Sequence, residues 1–247
     1  MYYLVTGTEY KELDPNGYFT NEKNIAKDVV FRSPDNYHYE SRLIQWCITN
    51  FALPDKDFVD IGAHIGTWTM GLTKHVNKTH AFECNADVYN CLCANIYLKR
   101  LSYKVDTHKC GLSNNEGTMT YFKRSVDGGG NGLTKLRASD DNSETDTVKV
   151  CRLDDFDLNN IGFLKIDVEG HEKEVIEGAL ETLKRNNYPT FTFESWEAWR
   201  DQEGSCPAIQ LRKELFEYIE SIGYKIIPIS GWNEQFIAEY DRTCDLD

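Results

Sequence analysis

The stretch Val59-Asp60-Ile61-Gly62-Ala63-His64-Ile65-Gly66 decides the reading of this chain. An apolar strand over residues 57–61 ends on an acidic residue and a glycine turn, and a helix starts at Thr67 and runs towards Val76. Glycine at 62 and 66 permits a tight turn and lets a ligand approach the backbone closely. Glu83 stands 21 residues after Gly62, near the end of the next strand, Thr79 to Cys84. In nucleotide-type folds an acid about 20 positions on accepts hydrogen bonds from both ribose hydroxyls. The turn reads D-x-G-x-x-x-G rather than G-x-G-x-x-G. A phosphate needs backbone donors facing it, whereas Asp60 suits a cationic or amine-bearing ligand. S-adenosylmethionine, with a ribose, an amino-acid end, a sulfonium and no phosphate, meets these demands. The competing reading is a tight turn with no ligand; Glu83 at the matching strand end weighs against it.

Outward from this turn, strands and helices alternate, the pattern of a parallel sheet with crossover helices. Ala86 to Arg100 reads as a helix and Tyr103 to Cys110 as the third strand. Residues 111–155 change to β-type runs, Thr118 to Lys123 and Thr147 to Leu153, around a glycine-rich tip at 128–132 and a polar stretch at 139–146. This predicts a β-hairpin insertion after the third strand, its tip either closing over an acceptor or simply loose. Phe163 to Val168 is the next strand. Glu172 to Lys184 is a helix with an apolar stripe of Val175, Ile176, Ala179, Leu180 and Leu183. Pro189 to Ser195 (strand), Ile209 to Ser221 (helix) and a closing strand pair, Tyr224 to Ile229 and Glu234 to Tyr240, complete the order. Upstream, Tyr37 to Phe51 predicts a helix packed on the sheet, preceded by a polar, turn-rich extension with short strands.

The 247 residues carry 40 Asp and Glu against 27 Lys and Arg, a formal net charge of −13. A surface that neutralises many phosphates needs a basic surplus, so nucleic acid is disfavoured as the main partner. No run approaches the roughly 18–20 apolar residues of a membrane span. The first residues lack the basic and apolar regions of a signal peptide, so a cytoplasmic location is expected. Eight cysteines in such a chain are expected to be reduced, and none forms a C-x-x-C pair.

A second constellation, Lys165-Ile166-Asp167-Val168-Glu169-Gly170-His171-Glu172, puts ionisable groups at the carboxyl end of a buried strand, where open α/β sheets bind ligands. Alternation along the strand predicts Lys165, Asp167 and Glu169 on one face. Glu172 and Glu174 read as complements to a helix dipole. This run resembles the K-I-D-V-E-G-x-E signature of the FkbM family of S-adenosylmethionine-dependent methyltransferases. Phe58 to Gly66 resembles the family's F-x-D-I-G-A-N-x-G motif, and Ala81-Phe82-Glu83-Cys84-Asn85 its A-F-E-P-x motif. Asn95, Gly111-Leu112-Ser113, Leu153-Asp154-Asp155 and Glu194 also match. His64 stands where the family usually has Asn, and Cys84 where it has Pro; neither should abolish binding.

The resemblance implies a class I methyltransferase fold, Rossmann-like, with a seven-stranded mostly parallel sheet and helices on both faces. Residues 1–56 would form an extension and first helix, and 57–247 the methyltransferase domain. It also implies S-adenosyl-L-methionine bound by Asp60, Gly62, His64, Gly66, Glu83, Cys84 and Ser113, with Ser113 near the adenine. Asp167, Glu169 and His171 are the candidate catalytic groups, the two carboxylates ranking above the histidine. Lys165, Glu194 and Trp196, with Trp199, are candidates for holding the acceptor. Asp167, Glu169 and Glu194 could also hold Mg²⁺ and lower a hydroxyl pKa. The expected activity is O-methylation of a sugar hydroxyl in a glycan or glycosylated metabolite. An RNA ribose methyltransferase and a catalytically inactive cofactor-binding domain are the alternatives.

Overall fold

A strand covered on both faces must be apolar along nearly its whole length, and residues 58–61 are buried at every position. The structure, a computed structural model, describes residues 3–6, 9–12, 40–123, 131–135, 144–196 and 208–243. Trp199, residues 128–130 of the glycine tip and residues 139–143 lie outside them. The first strands, β1 (Tyr3–Thr6) and β2 (Glu9–Glu12), form an antiparallel pair of their own. Helix α1 (Ser41–Phe51) leads into β3 (Asp57–Ile61), and α2 (Thr67–Leu72) continues as a 3₁₀ turn, Thr73–His75. Strand β4 (Thr79–Phe82), helix α3 (Ala86–Leu98) and β5 (Val105–His108) follow.

The insertion comprises β6 (Gly111–Leu112), β7 (Gly117–Lys123) and β8 (Glu144–Cys151), a three-stranded sheet rather than a bare hairpin. Its β7 and β8 pair antiparallel as predicted, while β6 adds in parallel to β8. Then come β9 (Ile161–Ile166), α4 (Glu172–Glu177), α5 (Leu180–Arg185), β10 (Thr190–Glu194), α6 (Ala208–Ser221), β11 (Tyr224–Pro228) and β12 (Gln235–Tyr240). The expected single helix over 172–184 is broken into α4 and α5. Gly178, between them, lies against the Ser113 loop so closely that a Cβ there would sit 2.0 Å from the Ser113 carbonyl oxygen. Docking on that loop, rather than helix propensity, sets the break.

The seven strands of the main sheet run in the order β11-β12-β10-β9-β3-β4-β5. Pairing is parallel from β10 through β9, β3 and β4 to β5, and β12 lies antiparallel between β10 and β11. From β3 the chain proceeds outward through β4 and β5, then returns to place β9 on the other side. This is the switch point at which such sheets open a crevice beyond their carboxyl ends. Side-chain alternation sorts the two faces. Phe58 and Phe163 pack with Leu43, Cys47 and Trp68 under α1 and α2. Val59, Ile61, Leu164 and Ile166 face Val175, Ile176 and Leu215 on the other side. Among the described residues no helix is long and apolar enough to cross a membrane.

One buried polar feature of the β4–β5 edge makes stability depend on pH. The His80 ring lies 3.6 Å from Asp57 and 3.8 Å from Asp106, whose other neighbour is Lys78 at 2.6 Å. It stacks on His108, which stacks in turn on Phe82. Burial holds both imidazoles below their ordinary value, against the pull of Asp57 and Asp106 on His80 and of Asp106 on His108. A depressed folded value means that the unfolded chain takes up protons first as pH falls through about 6.5, so acid removes stability. We expect His80→Gln to lose less Tm than wild type between about pH 7 and pH 5.5. Parallel pH profiles for the two proteins would exclude this role for His80.

Candidate active site

The register Asp60↔Lys165 between β3 and β9 brings an acid and an amine side by side on the face covered by α1 and α2. Lys165 is 5% exposed, and its Nζ donates to the Gly62 carbonyl oxygen at 2.7 Å. Its ammonium also lies 3.6 Å from Asp60 and 3.4 Å from Asp167. Burial alone would push Lys165 down, but Asp167, Asp60 and Glu40 together hold it above its ordinary value, so it stays charged. Asp60 is fully buried. Its Oδ2 accepts from Thr69 Oγ1 at 2.6 Å, whereas Oδ1 has no hydrogen bond. Burial raises its pKa against the pull of Lys165.

The glycine turn is shaped by left-handed backbone at Gly62 (φ 75°), His64 (φ 52°) and Gly66 (φ 94°). Gly62 and Ala63 both donate to the Phe82 carbonyl, and buried Asn95 donates to Ile65 O, so the turn is pinned to β4 and to α3. Glu83 sits at the adjoining strand end. Its Oε2 accepts from the His64 amide at 2.9 Å and its Oε1 from the Asn85 amide at 2.8 Å. Two backbone donors thus orient the carboxylate, and each oxygen keeps a lone pair for a hydroxyl. Burial raises the Glu83 pKa, opposed by these two amides. His64 Nε2 is buried without a hydrogen bond, and burial, with Lys165, pushes the ring down to about 4, so the imidazole is neutral. Cys84 packs against Tyr121 and Leu133 of the insertion, and burial beside Glu83 keeps its thiol protonated.

Strand β9 ends at Ile166, so Asp167 leaves the sheet with its amide still bonded to Ile61 O at 3.1 Å. Asp167 shares the Lys165 face as the alternation predicts, but Glu169 does not belong to the strand. It lies in a left-handed turn (φ 57°) with Gly170 (φ 90°) beside it. Glu172 does more than face a helix dipole: its Oε1 accepts from the amides of Val168 and Gly170, shaping this turn. Burial pushes its pKa up to about 7. The turn brings carboxylate oxygens of Asp167, Glu169 and Glu194 within 4.8 Å of one another. Proximity is all that speaks for Mg²⁺ there.

Trp196 is 7% exposed, donates to Glu194 Oε2 at 3.1 Å, and packs with Ala208 and Leu211. A groove adjoins these residues, lined also by Gly170, Arg212 and Glu214. Ser113 and His171 meet beside the turn: Ser113 Oγ lies 3.0 Å from His171 Nε2, and Thr134 Oγ1 lies 3.2 Å from Nδ1. With both ring nitrogens engaged and 4% exposure, His171 joins three segments. Lys165 is turned to the glycine turn and not to the groove. Asp60, Gly62, His64, Gly66, Glu83 and Cys84 thus stand at and just beyond the carboxyl ends of β3 and β4, Asp167 and Glu169 just beyond that of β9, and Glu194 and Trp196 at that of β10. Sequence reasoning missed Glu40, Tyr121 and Thr134. Each reaches the site through a contact distant in sequence, and no local pattern marks any of them.

The profile of the methyltransferase FkbM domain matches residues 60–226. Among solved structures, a methyltransferase FkbM from Methylobacillus flagellatus is similar at 18% identity and TM-score 0.49, over 75% of this chain. The chain spans 44% of that protein's length. A precorrin-6y C5,15-methyltransferase from Geobacter metallireducens aligns at TM-score 0.51 and 13% identity, covering 92% of this chain and 96% of its own. A putative rRNA methylase from Clostridium thermocellum also gives 0.51, at 10% identity over 80% and 91% of the two chains. The last two share the fold of this chain, the seven-stranded class I methyltransferase sheet. No curated protein sequence matches it.

Proposed function

The chain belongs to the methyltransferase FkbM family, and we propose that it is an S-adenosylmethionine-dependent O-methyltransferase acting on a sugar hydroxyl of a glycan or glycosylated metabolite. The observation that carries this reading is the convergence of Asp167, Glu169 and Glu194 beside a crevice that also holds an oriented Glu83. In this reading Glu83 accepts from the ribose hydroxyls and the Gly62 to Gly66 turn, with Asp60, surrounds the methionine end. His64 and Cys84 line the turn, and Ser113 stands on the adenine side. The residues fit such a donor, because Glu83 is held by two backbone amides with a lone pair left on each oxygen for a hydroxyl, and the acids Asp60 and Asp167 share one ammonium, that of Lys165. When bound, the donor supplies an electrophilic methyl group on a sulfonium.

The chain's own part is to orient and deprotonate a hydroxyl. Asp167 and Glu169 accept hydrogen bonds from the acceptor, and one of them takes its proton as the new C–O bond forms. Orientation of this kind lowers a barrier by several kcal/mol, about 7–11 in the best model systems. Glu194 holds a neighbouring hydroxyl, and Trp196 backs the groove. Lys165 holds Asp167 in place through their 3.4 Å ion pair rather than touching the acceptor, and His171 positions the loop. A neutral, hydroxyl-rich acceptor matches both the carboxylates and the net charge of −13.

The test is label transfer from methyl-labelled donor across a panel of glycans, with capped RNA alongside. Label on a glycan is expected, and whichever of Asp167→Asn and Glu169→Gln removes the base should lower turnover by roughly 10²- to 10⁴-fold. Label in RNA alone would overturn the acceptor class. Full turnover in both variants would overturn the catalytic roles.

A further inference from the structure

Glu40 lies ahead of the residues matched to the family profile, immediately before α1, yet its side chain reaches the crevice. Its backbone is left-handed (φ 61°), a conformation that a residue with a Cβ adopts at a cost and that concentrates at functional sites. Oε2 accepts from Trp68 Nε1 at 2.6 Å and Oε1 from Gln235 Nε2 at 3.4 Å. Trp68 is on α2, the helix that follows the glycine turn, and Gln235 is paired in register with Glu194. The carboxylate is therefore suspended between the donor side and the acceptor side of the crevice. Burial first, and then the charge of Asp167, push Glu40 up to about 7, while Lys165 pulls it back.

Glu40, Asp60 and Asp167 thus face one ammonium, that of Lys165, which lies 3.6 Å from the fully buried Asp60 Oδ1 and 3.4 Å from Asp167. An uncompensated buried charge is expensive. If Trp68 needed only an acceptor, a neutral amide at position 40 would serve without setting a carboxylate against Asp167. Three acids around one ammonium leave a surplus of negative charge that an entering cationic group would balance.

We propose that Glu40 is a cofactor-binding residue that takes the α-ammonium group at the amino-acid end of the methyl donor, across the crevice from the glycine turn. This rests on the donor reading given above and extends it to a residue outside the family motifs. The same group is present in S-adenosylhomocysteine and absent from 5′-methylthioadenosine, which separates this role from ribose or adenine recognition.

Calorimetry with these three ligands tests it on the full chain. Glu40→Gln keeps an oxygen for Trp68 and should weaken S-adenosylmethionine and S-adenosylhomocysteine by about tenfold or more, the scale of one charge-assisted hydrogen bond. Methylthioadenosine should bind it as it binds wild type, and Glu40→Asp should fall between the two. Glu83→Ala should weaken all three. Unchanged S-adenosylhomocysteine affinity in Glu40→Gln, or an equal loss for methylthioadenosine, would overturn the assignment. Wild type binding none of the three would instead remove the donor reading itself.

Discussion

Lys165→Met is expected to cost about 3–5 kcal/mol of folding stability, the range for removing one partner of a buried ion pair. Methionine matches the length of the lysine stem, so little packing is lost. What is lost is the donor to the Gly62 carbonyl and the only positive charge, among the described contacts, between Asp60 and Asp167. A fully buried Asp60 and a partly buried Asp167 would then be left without a counter-charge. Urea unfolding at about pH 7 measures the effect as a lower midpoint at constant slope. The double variant Lys165→Met with Asp60→Asn should recover part of the loss, since the charge left stranded is removed with it. A cost below about 1 kcal/mol for the single change, typical of exposed pairs, would mean that Lys165 is solvated and does not organise the crevice.

Gly62→Ala should be comparably severe, for a different reason. At φ 75° an added Cβ is strained, and it would sit 1.8 Å from the Asp167 carbonyl oxygen, which is backbone and cannot rotate away. Left-handed strain of about 1–2 kcal/mol and overpacking of about 1–3 kcal/mol together predict a loss of about 2–5 kcal/mol. Relief requires the 62–66 turn and the 167–170 loop to part, so donor affinity should fall as well. Gly231 supplies the control: its φ is 85°, but a Cβ there would meet nothing within 4 Å. Gly231→Ala should therefore lose only the strain contribution and leave donor binding unchanged. Equal losses in thermal unfolding for the two variants would show that the close approach of Gly62 to Asp167 does not govern the fold.

The two variants also show which parts of the site could be read from the chain. The Asp60 to Gly66 turn and Glu83 were legible because a strand end, a glycine conformation and a spacing of about 20 residues are local or periodic features. Asp167 was legible as the strand-end acid of the second motif. Glu169 was expected on the Lys165 face: alternation carries past a strand's end on paper, whereas β9 stops at Ile166 and the next residues turn. His171 was legible only as a candidate ranked below the two carboxylates, and the contacts of its ring with Ser113 and Thr134, 58 and 37 residues away, could not be read from the chain. Glu40 carried no signal, since its partners Trp68 and Gln235 are 28 and 195 residues distant.

The sequence by itself determined the succession of strands and helices, the positions of the glycine turns and the acids at two strand ends. These follow from backbone stereochemistry and side-chain period, which act over a few residues. Only the tertiary structure decided that Lys165 lies beside Asp60, that Gly178 interrupts a helix to meet the Ser113 loop, and that Glu40 joins the crevice. Those are choices of register and long-range packing, made when the whole core closes and buried charges must find partners. No local window of the chain contains both members of such a pair.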